Sequence, residues 1–356
     1  QYQISLSHKP VLWLSGFLLL FAVGHANAVP KVTFQFDEWV DFALQKLETD
    51  GVTGGIHRHT RPWTRWEVAG AVRQAADRIA KGVVKPARMD VELLEKLKRE
   101  FKEEIAVLAG GEAEHRFRVR AAPQLRRSPP TPPAPLPEGE GGRRKIAPAS
   151  ESAFLYQFGN RLTLYQEFEV ENSSEKYQIQ GKTASQRLKL WRGDYTGDFK
   201  RVYMRLPLVR AKHQVLPDVS PLLEVLIGRE QLFWGTGFRG AVGISDNSPP
   251  FDLILLTGRF GKIKGTAFAA QLDQMWHDQE GPARRYLANR YLSGHRLDGL
   301  VSDRIEVGVS EMIVYGGDAR GVEWKYLNPI LPYYASQYNA GTDDNVMFQL
   351  EGAIRP

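Results

Sequence analysis

The sequence has no cysteine among its 356 residues. That absence removes disulfides, thiolate nucleophiles and cysteine-ligated zinc together, leaving a chain indifferent to the redox state of its compartment. Long apolar runs are nearly as scarce. One occupies residues 11–23, broken only by Ser15 and Gly16, and it is shorter than the roughly 20 residues a spanning helix needs. No other stretch can cross a membrane as a helix. Constellations for catalysis or metal binding are missing too. Gly235-Thr236-Gly237 lacks the lysine and helix of a phosphate loop. Asp343-Asp344-Asn345 and Ser245-Asp246-Asn247 lack calcium-loop spacing and read as turns. His57 and His59 have no third ligand in view. Glu306 and Glu311, the carboxylate pair of a hypothetical glycosidase, are oddly spaced, which on a regular strand sends them to opposite faces. His295 has no nucleophile elbow beside it. We therefore expect no enzyme, no metal and no cofactor.

What is present begins with a segment patterned for export. Lys9 precedes the apolar run, and Ala26-Asn27-Ala28 supplies the small-x-small pattern of a cleavage site, expected after Ala28. Residues 29–109 then read as a helical segment. Trp39, Phe42, Ala43 and Leu47 fall near one face of a first helix. Thr64 and Glu67 have capping-box spacing ahead of Val68, Val72, Ala75 and Ile79. Asp90 is placed to cap a third helix with a stripe through Leu94, Leu97, Phe101, Ile105 and Leu108. Residues 110–150 hold seven prolines between Pro123 and Pro137 and many arginines, which reads as a solvated basic linker.

From residue 151 to the end the hydrophobic period drops to 2. Leu162 and Leu164 alternate with Thr163 and Tyr165. Val202, Met204 and Leu206 alternate with Arg201, Tyr203 and Arg205, and Ile305, Val307 and Val309 with Arg304, Glu306 and Gly308. A soluble antiparallel sandwich shows the same alternation. Rows of long charged residues on the polar side, the export signal and strands near the roughly 9 to 11 residues of a tilted membrane strand lean toward a transmembrane β-barrel. Glu311 shares parity with Ile305, Val307 and Val309, so a β-bulge near Ser310, or an aqueous position above the hydrocarbon, is expected there.

Several ordered motifs occur in this region. They are Gly228-Arg229-Glu230-Gln231 with Trp234-Gly235-Thr236-Gly237; Ser245-Asp246-Asn247; Tyr291-Leu292-Ser293-Gly294-His295; Ser310-Glu311; Tyr326-Leu327-Asn328-Pro329 with Tyr333-Tyr334; and Asp343-Asp344-Asn345. In this order, over roughly residues 154–356, the chain resembles the capsule assembly protein Wzi family. The resemblance implies a mainly β fold, an antiparallel outer-membrane β-barrel of many strands preceded by helical periplasmic elements. It also implies a role in capsule or extracellular polysaccharide assembly or surface attachment, since the best-understood member is a lectin for capsular polysaccharide. Arg229, Asp246, Asn247, Glu311, Asn328, Asp344 and Asn345 are its motif positions, without assigned roles.

The proline-rich insertion departs from that family. The chain also supplies about 8 to 10 strands, fewer than the family's barrel needs, and it begins at Gln1 in place of an initiator Met, so a sequence truncated at both ends is expected. The expected location is the outer membrane of a Gram-negative-type bacterium. The expected partners are surface polysaccharide, outer-membrane lipid and other envelope assembly proteins, with no nucleic acid. Trp234, Arg239, Trp276, Tyr333 and Tyr334 are the candidate glycan-binding residues, because flat rings and a planar guanidinium supply stacking faces and bidentate donors. The same rings also suit an interfacial girdle or loop packing. A porin or transport channel is the alternative, and a glycan hydrolase a more distant one.

Overall fold

A computed structural model describes residues 38–54, 57, 59–109, 116–127, 146–158, 162–172, 195–209, 223–237, 240–245, 248–278, 285–302 and 304–354. The export segment and Arg239, Asp246 and Asn247 lie outside the described residues.

Four helices come first: α1 (Glu38–Thr49), α2 (Arg65–Ala80), α3 (Arg88–Glu100) and α4 (Lys102–Leu108). In α1 the buried stripe is Val40, Ala43, Leu44 and Leu47 while Phe42 is exposed, which turns the face expected from Trp39 and Phe42 by about one position. Both halves of the α2 capping box are present: Glu67 N–H donates to Thr64 Oγ1 at 3.1 Å and Thr64 N–H to Glu67 Oε2 at 2.7 Å. Ala87 is the N-cap of α3, one turn before the residue expected there. Asp90 instead sits inside the first turn and accepts the Ala87 N–H at 2.8 Å. The stripe through Leu94, Leu97, Phe101 and Leu108 is buried, but the helix is interrupted at Phe101. These helices share one apolar core with Trp63, Val68 and Val72. None of the described helices is long and apolar enough to cross a membrane.

The rest is antiparallel sheet. Strands β2 (Arg116–Arg127), β3 (Ile146–Phe158), β4 (Leu162–Asn172), β5 (Tyr195–Val209), β6 (Leu223–Glu230), β8 (Phe251–Phe260), β9 (Ile263–Asp278), β10 (Arg285–Ser302), β11 (Ile305–Gly317) and β12 (Asn345–Ile354) pair in the order β12-β11-β10-β9-β8-β6-β5-β4-β3-β2. Among the described residues β2 and β12 are edges and the sheet is not closed. The linker expectation is corrected here, since Arg116–Arg127 pairs along its length with Ile146–Phe158. Phe117 and Val119 alternate with arginines, a period-two pattern masked by the proline content, and Pro123 sits on an edge strand, where a missing N–H is tolerated. A separate two-residue pairing joins β1 (Thr60–Arg61) to β7 (Phe233–Trp234).

The two faces of the sheet differ as the alternation requires. Inward lie Leu155, Tyr165, Glu167, Arg201, Tyr203, Leu226, Leu253, Leu255, Lys264, Phe268 and Arg296, all buried. Outward, Leu164, Val202, Ile227, Ile254, Leu297, Val307 and Val309 remain exposed. No second sheet covers them among the described residues, so the sandwich reading has no counterpart there. Connections also differ by end. Residues 159–161, 210–222, 261–262 and 303–304 link strands at the end where the helices enter, whereas 128–145, 173–194, 231–250, 279–284 and 318–344 link them at the other.

The bulge expected near Ser310 is absent. β11 stays in unbroken register with β12 from Ile305 to Val314, so Glu311 faces outward with Val309 and Ile313. Its carboxylate is covered by a helix from the following connection, α5 (Tyr333–Ala340).

Candidate functional site

On the inward face, the helical segment is held by buried charge. Glu67 has two tasks: Oε2 completes the α2 cap, while Oε1 accepts from Lys264 Nζ at 3.2 Å and from Arg259 Nη2 at 2.6 Å. Burial alone would raise its pKa, but Arg259, Lys264 and the Thr64 N–H together hold it well below the ordinary carboxylate value. Lys264 also donates to Thr60 O at 3.1 Å. Arg296 Nε donates to Thr60 Oγ1 and to Asp298 Oδ1, each at 2.8 Å, and its Nη1 lies 2.8 Å from Glu351 Oε2. Gly308 permits this cluster, since a Cβ there would fall 2.3 Å from Arg296 Nη2. His57 and His59 approach Glu306 at 3.9 and 3.6 Å, beyond hydrogen-bond range. Burial, and then Lys264, push the His57 imidazole down to about 4.

Residues 231–237 and 240–245 fold back against the same inward face. Trp234 stacks edge-on to Phe268, with centroids 5.1 Å apart, and pairs with Thr60 through β1 and β7. Gly294 leaves room for it, as a Cβ there would lie 2.5 Å from Phe268 and 3.1 Å from Trp234.

The other cluster lies on the outward face, where residues 318–344 fold over β10 and β11. Tyr333 N–H and Tyr334 N–H donate to the two Glu311 oxygens at 2.9 and 2.7 Å, and His295 Nε2 lies 3.1 Å from Glu311 Oε2. Tyr291, Tyr315, Tyr326 and Tyr333 pack with Ile313 beneath. Asp344 accepts from Arg320 Nη2 at 2.8 Å and from the Tyr326 hydroxyl at 2.7 Å. Burial works against its ionisation, yet these bonds keep its pKa below the ordinary value. Glu323 pairs with Arg320 and Lys325.

The candidate residues thus fall in different places. Trp234 and Tyr333 are fully buried and present no open stacking face. Trp276 (57% exposed) and Tyr334 (58% exposed) do, Trp276 near the long-connection end of β9 beside Leu287. Arg229 forms a two-pronged pair with Asp252 on the outward face. Asn328 Oδ1 accepts the Ile330 N–H at 3.0 Å, a turn contact, and Asn345 opens β12. Asp344 is an anchor of the connection, which suits neither an open turn nor a calcium loop. Among the described residues, these side chains are not gathered into one pocket. Sequence reasoning missed Thr60, Arg259, Lys264, Arg296 and Asp298, and found Glu67 only as half of a capping box. For the four charged strand residues the signal was charge at inward parity, visible in Arg296 and Asp298 two apart on one strand.

No family model matches the sequence, and no curated protein matches it. Among solved structures, the chain is similar to Wzi, an outer-membrane protein involved in group 1 capsule assembly in Escherichia coli and described as a carbohydrate-binding β-barrel. The TM-score is 0.49 and the identity 14%, over 91% of this chain and 59% of that one. The chain therefore spans less than two thirds of that structure's length.

Proposed function

We propose that this chain builds an outer-membrane β-barrel wall and acts in the assembly or surface attachment of capsular or other extracellular polysaccharide, by binding glycan without breaking bonds. The observation that carries the membrane reading is the two-faced sheet, with aliphatic side chains uncovered on one side and ion-paired charge on the other. In water that outer face would be a large exposed apolar patch; in acyl chains it is the expected surface. Connections that are mostly short at the helix-bearing end, 210–222 excepted, and mostly long opposite, 279–284 excepted, fit periplasmic and extracellular ends. The glycan ligand is supported by the ordered motifs that resemble the Wzi family and by Trp276, an exposed ring at the long-connection end. Glu306 and Glu311 sit on opposite faces of β11, so they do not flank one sugar bond.

The test is gel mobility of the detergent-extracted protein before and after boiling, together with retention on immobilised capsular polysaccharide. A mobility shift with retention is expected. A shift without retention, joined to a conductance that glycan does not block, would make the protein a channel; unchanged mobility in the soluble fraction would end the membrane reading.

A further inference from the structure

The connection between β11 and β12 has a composition unlike the rest of the chain. A quarter of all residues are charged, yet residues 327–340 contain no Asp, Glu, Lys or Arg. Of the charges that flank them, Arg320, Glu323, Lys325 and Asp344 are spent on one another, while Asp318 and Asp343 are exposed. Meanwhile this connection displays large apolar and amphipathic side chains. Trp324 is 86% exposed, Ile330 86% and Tyr338 80%.

Its position explains what such a surface meets. The connection neither stands off the end of the sheet nor folds into the interior; it turns down over the outward face, where Glu311 receives the first amides of α5. On that face, one register row runs Tyr315, Tyr291, Gln271, Asp252, Arg229, while the neighbouring row runs Ile313, Ser293, Ala269, Ile254, Ile227. Between these two rows the wall passes from small and aliphatic to aromatic and polar. The exposed side of α5 continues into the bare wall, since the Tyr334 ring lies 6.1 Å from Phe348, which projects outward from β12 directly across from Glu311.

We propose that residues 318–344 form a collar on the outside of the wall that seats in the headgroup layer of the bilayer, its occupant being lipid. Tyrosine and tryptophan favour this level, with the ring in the boundary and the polar tip in water. A sugar platform of similar rings needs charged or amide partners beside it for the hydroxyls; Gln337 and Asn339 flank Tyr338, whereas the rest of the exposed surface of the connection includes the aliphatic Val322, Ile330 and Leu331. The inference rests on the outer-membrane reading above and deepens it by naming where the wall's aqueous boundary falls on β10 and β11.

The absence of cysteine makes the test clean, because a single introduced thiol labels one place. Tyr338→Cys, with Trp324→Cys as a second exposed reporter, and Leu297→Cys on the bare wall would each carry a nitrobenzoxadiazole dye. The full chain would be placed in phosphatidylcholine–phosphatidylglycerol vesicles containing nitroxide quenchers at the headgroup or deep in the acyl chain. Both collar labels should be quenched about two-fold more by the headgroup quencher than by the deep one, and the Leu297→Cys label the reverse. Collar labels untouched by either quencher while the wall label responds would overturn the collar and leave the barrel standing. A collar dye that shifts with capsular polysaccharide but not with lipid would also overturn it, assigning the surface to glycan. If no label is quenched, the membrane reading fails and takes the collar with it.

Discussion

A carboxylate on the outward parity of a strand is costly in hydrocarbon unless another group claims it, and at Glu311 the amides of Tyr333 and Tyr334 do so. The residue works as a helix cap supplied from a neighbouring strand. Glu311→Ala should therefore free the first turn of α5, at a cost of about 1–2 kcal/mol by analogy with lost N-caps. Amide hydrogen exchange at Tyr333 and Tyr334 should accelerate, and unchanged protection would show that the cap is idle. His57 gives a second test at this scale. Burial and Lys264 lower its pKa from 6.5 to about 4, so the folded state favours the neutral ring. Its contribution to stability is complete above pH 6.5 and is lost as pH falls through 4. In His57→Gln the unfolding midpoint should vary less with pH across that window; an identical slope would remove His57 from the account.

Among elements, the junction of helices and sheet depends on Glu67, which closes the α2 cap and meets Arg259 and Lys264. Glu67→Gln should loosen the helical segment by about 3–5 kcal/mol, since two buried cations lose a partner. Combining Glu67→Gln with Lys264→Met should cost less than the sum of the single changes. Protease sensitivity of residues 38–109 reads both, and simple additivity would argue against direct coupling. The capping box and the alternating strands were legible in sequence because each depends on spacing along the chain: Thr64 and Glu67 three apart, Val202 and Met204 two apart. Other elements depend on partners far away. Arg116–Arg127 was hidden because composition outweighed its short alternation. Trp234 reads as an open ring until the fold brings Thr60 and Phe268 around it. The role of Glu311 could not be read at all, for its donors lie more than twenty residues onward.

At the scale of the molecule, the outer face distinguishes lipid from water. Leu297→Arg and Val307→Arg place charge where the wall is bare. In a bilayer each should cost about 2–4 kcal/mol near the midplane, whereas on a surface already in water such changes stay within about 0.5 kcal/mol. Folding yield into vesicles against urea separates these cases, and indifference to both substitutions would mean that the face never meets acyl chains.

The flanks of the sheet carry a further requirement. Beyond β2 and β12 no described strand lies alongside, which leaves a rail of backbone donors and acceptors on each. Oil supplies nothing to bond them, at several kcal/mol per stranded group. Immersion therefore demands a seam, in which these rails find each other or additional strands before the wall can rest among lipid tails.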